Sequence, residues 1–132
     1  MSQFARKRCV PRKAGTPPMS KEDARNFLRE FPGWTLGDDS IAKGFKFKTY
    51  LDGLEFAYSL GRKAEEEGHH PDMLIKWKKV GVTLSTHSIK GLSENDFIMA
   101  DRAEQVYKKL SRKGAARQLP RKRIPIGLGA RE

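Results

Sequence analysis

The apolar positions of this chain change period several times, and each change marks an element. Phe27, Leu28 and Phe31 give an apolar side to a helix that begins at Ser20 and stops at Pro32-Gly33. Ser20 suits the start: its hydroxyl can accept from a free N–H of the first turn, and Asp23 stands at the acidic position three residues on. Trp34 to Leu36 reads as a short strand and Gly37-Asp38-Asp39 as a turn. From 40 to 48 the period is two, with Ile41, Phe45 and Phe47 sharing a face with Lys43, opposite Lys46 and Lys48. Between Leu51 and Glu67 the steps lengthen to three and four. Leu54, Ala57, Tyr58, Gly61 and Ala64 then form one helical stripe, which Gly68 ends. Two further strands follow: one alternates through Met73, Ile75 and Trp77, and the next through Val80, Val82 and Leu84 with His87 continuing it. Ser93 opens a last helix with Asp96 at its third position and a stripe of Met99, Ala103, Val106 and Leu110.

The order α-β-β-α-β-β-α predicts an α+β fold in which two hairpins build one antiparallel sheet and the helices gather on one face. Residues 20–110 make a single domain. Residues 1–19 carry Pro11, Gly15, Pro17 and Pro18 with no apolar period, and are expected as a basic flexible arm. Residues 111–132, again basic and Pro/Gly-rich, are expected as a flexible tail.

Charge sharpens that division. The net charge of +11 suggests nucleic acid at first sight. Yet Arg6, Lys7, Arg8, Arg12 and Lys13 stand in the first arm without an acid, and seven basic residues stand in the tail against Glu132, while acids and bases balance between 20 and 110. The basicity belongs to the ends, and no nucleic-acid motif lies between them, so no nucleic-acid partner is expected. No run approaches the roughly 18 apolar residues of a membrane span, so no membrane is expected. The single Cys9 rules out an internal disulfide and fits a reducing, cytoplasmic setting.

All three histidines, His69, His70 and His87, fall within 69–87. Imidazole moves protons near neutral pH, and two on opposite sides of a substrate serve as acid and base without a metal. The same residues allow plainer readings. His69-His70-Pro71 suits a solvated turn, Asp96 a helix-start carboxylate, Glu65 a solvated acidic run with Glu66 and Glu67, and Trp34 and Trp77 the core. A zinc set lacks a fourth ligand: adjacent histidines diverge, no His-x-x-x-His pair occurs, and Cys9 lies in the arm. Neither a Gly-rich phosphate cradle nor a G-x-S-x-G elbow is present.

The spacing then becomes specific. Glu65, three residues, His69-His70-Pro71, five residues, Trp77, nine residues, His87, eight residues and Asp96 together resemble the signature of the pterin-4a-carbinolamine dehydratases. Gly33-Trp34 and Phe45-Lys46-Phe47 are similar to family positions, and the likeness covers about 16–110. It implies a four-stranded antiparallel sheet with three helices on one face, assembled as a homodimer or homotetramer. It implies a hydro-lyase that dehydrates 4a-hydroxytetrahydropterin to the quinonoid dihydropterin, with no metal and no organic cofactor. It implies His69 and His87 as the acid/base pair, His70 as a group that orients the pterin, and Asp96 as the residue that bonds a histidine and sets its tautomer. Glu65, Gly68, Ser85, Thr86 and Ser88 would lie on the substrate, with Trp34 lining the mouth. Two departures stand out: Gly68 replaces an acidic residue of vertebrate members, and Arg12 stands where many relatives complete a Cys-Val-Pro-Cys segment. Some vertebrate relatives also serve as a dimerisation cofactor of a transcription factor, so a protein-binding module is the alternative reading.

Overall fold

A computed structural model of the chain describes residues 2–116, with side chains described to 112. Its elements run α1 (Lys21–Leu28), β1 (Thr35–Leu36), β2 (Ile41–Lys46), α2 (Tyr50–Glu67), β3 (Asp72–Lys76), β4 (Lys79–Leu84) and α3 (Glu94–Ala116), with a 3₁₀ turn over His87–Ile89. All pairings in the four-stranded sheet are antiparallel, in the order β1-β2-β4-β3. The expected α+β architecture is therefore observed. Among the described residues no helix is long and apolar enough to cross a membrane.

Local chemistry explains the boundaries. Ser20 and Thr49 cap α1 and α2, accepting through their hydroxyls from the N–H groups of Asp23 and Asp52 at 3.1 Å each. Gly68 closes α2 in the left-handed region at φ 67°, where a side chain would be strained, and its N–H donates to the Ala64 carbonyl. That single turn reverses the chain and delivers His69 and His70 to the helix end.

The core lies between the sheet and the helices. Ile41, Phe45, Val80, Val82 and Leu84 meet Phe56, Leu60 and Ala64 of α2 and Phe97, Met99 and Ala103 of α3. The α3 stripe is as expected. The α2 stripe is not: the buried face is Gly53, Phe56, Leu60 and Ala64, and Tyr58 is 70% exposed. This helix carries apolar residues on two sides, so periodicity could not choose the face. Trp77 was expected in the second hairpin's first strand or in the core. It sits instead in the turn after β3, exposed, with the Lys78 ammonium 4.3 Å from its ring centroid.

Both ends are described in part. The backbone of 2–19 is irregular, but it is docked. Phe4 is fully buried, with its ring centroid 5.1–6.0 Å from those of Phe27, Phe31 and Phe97. The buried Arg102 guanidinium donates to the carbonyls of Phe4, Ala5 and Lys7. A lone aromatic among prolines and charges leaves no periodic trace, so this anchor was invisible in the pattern. Glu104, two residues on from Arg102 in α3, also turns inward. Glu104 accepts from the Trp34 indole N–H at 2.9 Å and from Lys43 at 2.6 Å. At the other end α3 continues to Ala116, six residues past the expected boundary, and 117–132 lie outside the described residues.

Candidate active site

Three ends meet at one cavity. The C-terminus of α2 brings Glu67, Gly68, His69 and His70; the turn after β4 brings Thr86, His87 and Ser88; the first turn of α3 brings Asn95. Cys9 to Arg12 close another side. The cavity holds about 450 Å³, within the range of about 300–1,000 Å³ usual for small-molecule sites.

Asp96 is the anchor of its inner wall. It is 0% exposed. Its Oδ2 accepts from the Ser93 N–H at 3.0 Å and from the Thr86 hydroxyl at 2.8 Å. Its Oδ1 accepts from His69 Nε2 at 2.7 Å. The helix-start role and the histidine-holding role thus coexist in one carboxylate, one oxygen for each. Ser93 completes the network, its Oγ 2.8 Å from Thr86 Oγ1. With Nε2–H donated to Asp96, the lone pair of His69 stays on Nδ1.

The adjacent histidines diverge as expected. His70 turns outward, with Nε2 2.5 Å from Glu65 Oε2, both side chains being exposed. His87 is exposed on the rim and opens the 3₁₀ turn; β4 itself ends at Leu84. Each of His69 and His70 therefore spends a ring nitrogen on a carboxylate. Among the described residues no three His, Cys, Asp or Glu side chains are gathered to hold a metal ion.

The structure brings His69, His70, His87, Gly68, Thr86 and Ser88 to the cavity and leaves four expected residues out of its lining: Asp96, which stands fully buried behind His69, and Trp34, Ser85 and Glu65. Trp34 is buried in the core against Phe45, with its indole N–H taken by Glu104. Ser85 is half-buried just past β4 and does not line the cavity. Glu65 reaches the site through His70 alone. Thr86 lines the cavity, but its hydroxyl is committed to Asp96, which makes it a support for the anchor.

Sequence reasoning missed Cys9, Val10, Arg12, Glu67 and Asn95 as lining residues. Asn95 is buried and brackets Val10, accepting from its N–H at 3.0 Å and donating to its carbonyl at 2.8 Å. The Glu67 carboxylate accepts from the Cys9 N–H at 2.8 Å and pairs with Arg8 at 3.0 Å and Arg102 at 3.4 Å. Burial pushes the Glu67 carboxyl up, but the Cys9 N–H and the two guanidiniums outweigh it and hold the group below its ordinary value. For Cys9 burial works alongside Glu67, and the thiol is pushed up to about 12, so it stays protonated. The Cys-Val-Pro segment was the available signal, but nothing in it announced a wall of the site.

The α+β scaffold thus presents a cleft with one largely shielded, carboxylate-held imidazole and two more at its rim, groups that are able to transfer protons. Residues 17–106 match the family described as Pterin 4 alpha carbinolamine dehydratase. A relative from Alkaliphilus metalliredigens named "Putative pterin-4-alpha-carbinolamine dehydratase" is 40% identical over 107 residues, 80% of this chain and 96% of its own. A solved structure from Brucella melitensis, described as a transcriptional coactivator/pterin dehydratase, superposes with a TM-score of 0.66 at 30% identity, covering 68% of this chain and 98% of that one. A pterin dehydratase-like protein described as a RuBisCO assembly factor in the alpha-carboxysome gives a TM-score of 0.51 at 25% identity, covering 58% and 92%. The chain belongs to the pterin 4 alpha carbinolamine dehydratase family.

Proposed function

We propose that the protein dehydrates 4a-hydroxytetrahydropterin to the quinonoid dihydropterin, recycling an oxidised pterin. The observation that carries this reading is the fixed His69, gripped by a buried Asp96 and facing a cavity with His87 at its rim. The reaction removes the N5 proton and the 4a-hydroxyl. The N5–H electron pair becomes the second bond of C4a=N5, the C4a–O bond breaks, and oxygen leaves as water after gaining a proton. His69 suits the base, because Asp96 stabilises the imidazolium formed when Nδ1 takes the proton. His87, without a fixed partner, suits the acid. His70, steadied by Glu65, orients the ring beside Gly68 and Ser88. The proposed setting is reducing and cytoplasmic, which a single cysteine fits.

The test follows loss of synthetic 4a-hydroxytetrahydropterin by rapid mixing. His69→Ala and His87→Ala each lower kcat by about 10²–10⁴-fold. If both variants match the wild type, the catalytic assignment is lost.

A second reading has its own observation. Tyr50, Leu51 and Tyr58 of α2 are exposed, although the core is complete without them. They favour a homodimer or homotetramer, or a protein partner of the kind the coactivator description implies for the Brucella relative. Light scattering of wild type and Tyr58→Asp decides between self-assembly and a free surface.

A further inference from the structure

The wall formed by Cys9 to Arg12 is held in place rather than draped over the cavity. Val10 is bracketed by Asn95 through both its N–H and its carbonyl. Cys9 is held through its N–H by Glu67. Asn95 precedes Asp96, so the wall and the His69 anchor share the first turn of α3.

Arg12 is the one strong charge in this wall without a counter-charge. Its Nη2 donates to Asn95 Oδ1 at 3.3 Å, an oxygen already accepting from Val10. Its Nε is shielded from solvent and has no hydrogen-bond partner. Among the described residues no ion pair includes Arg12. The nearby Glu67 is already taken by Arg8 and Arg102. A guanidinium is always charged, and its planar fork matches a carboxylate or a phosphate. A shielded donor left empty is unfavourable. Arg12 also lines the cavity, and the N–H groups at the end of its guanidinium fork can meet an acceptor on a ligand there.

On the dehydratase reading, the reacting ring is constant and the substituent on C6 is what differs between pterins. We propose that Arg12 is a specificity-determining residue that binds an anionic group, carboxylate or phosphate, on that substituent. The N-terminal wall then selects the pterin while the histidines process it.

Titration calorimetry on the full chain tests this with three stable ligands: 7,8-dihydroneopterin, its monophosphate, and 7,8-dihydrofolate. Wild type binds at least one of the two anionic ligands about 10- to 100-fold more tightly than dihydroneopterin. The phosphate and folate arms tell which anion is read. Arg12→Gln brings that ratio close to one, and Arg12→Lys keeps part of it, since the charge survives without the fork. The ratio is unmoved by a uniform loss of affinity or of folded protein, so a merely structural Arg12 would leave it intact. A ratio near one in the wild type, or a preference that survives Arg12→Gln, overturns the proposal. If dihydroneopterin binds without any anionic preference, the dehydratase reading stands and the role of Arg12 falls. If none of the three binds to the wild type, both fall together.

Discussion

Two neighbouring histidines show how differently the inner wall and the outer rim of this cavity are built. His69 is 11% exposed at its side chain, and its partner Asp96 is fully buried with two further donors on its other oxygen. His70, one residue on, pairs with a Glu65 that is largely in solvent. Both contacts are short imidazole–carboxylate pairs. Burial separates them: the inner pair is largely shielded from water, whereas an exposed pair is screened and contributes about 0–1 kcal/mol. The same contrast divides residues 2–19, where Phe4 is sealed in the core and Val10 is exposed along the cavity.

The contrast makes graded predictions. Phe4→Ala removes a fully buried ring from a four-ring cluster and lowers stability by about 3–5 kcal/mol in urea titration. A loss below about 1 kcal/mol would return the segment to the rim class. Asp96→Ala removes the acceptor of the Ser93 N–H, of the Thr86 hydroxyl and of the His69 imidazole. It costs about 2–4 kcal/mol by the same measurement and lowers turnover as well.

The third prediction concerns pH. Glu67 titrates below its ordinary value of 4.5 in the folded chain. Its stabilisation is therefore complete above about 4.5 and is lost as pH falls through the lower folded value. Unfolding midpoints measured from pH 6 to pH 3 fall more steeply for wild type than for Glu67→Gln; equal slopes would detach Glu67 from the wall. The smallest effect is that of Glu65→Ala at the rim, within about 0.5 kcal/mol in stability. A larger loss would erase the distinction between wall and rim.

Much of the site was legible in the chain because its spacing is set by local geometry. Gly68 must adopt a left-handed turn to end α2, and the two histidines must follow it at once. Asp96 must stand three residues after Ser93 for its carboxylate to meet the Ser93 N–H. Such constraints act within a turn or two of chain and leave a readable pattern. Trp34 and Glu65 show the limit. Both occupy family-like positions, but one lies in the core and the other reaches the site through His70. The buried face of α2 shows it again, since both sides of that helix are apolar enough to be the stripe.

By itself the sequence determined the element order, the antiparallel α+β class and the run from Glu65 to Asp96, all products of period, caps and fixed short spacings. Tertiary structure alone decided that Phe4 and Arg102 tie the first segment down, that Asn95 and Glu67 turn it into a wall, and that Arg12 lines the cavity with its Nε left without a partner. The physical reason is distance along the chain. Arg12 and Asn95 are separated by more than eighty residues, and contacts of that range follow from how the helices pack, which no local pattern encodes.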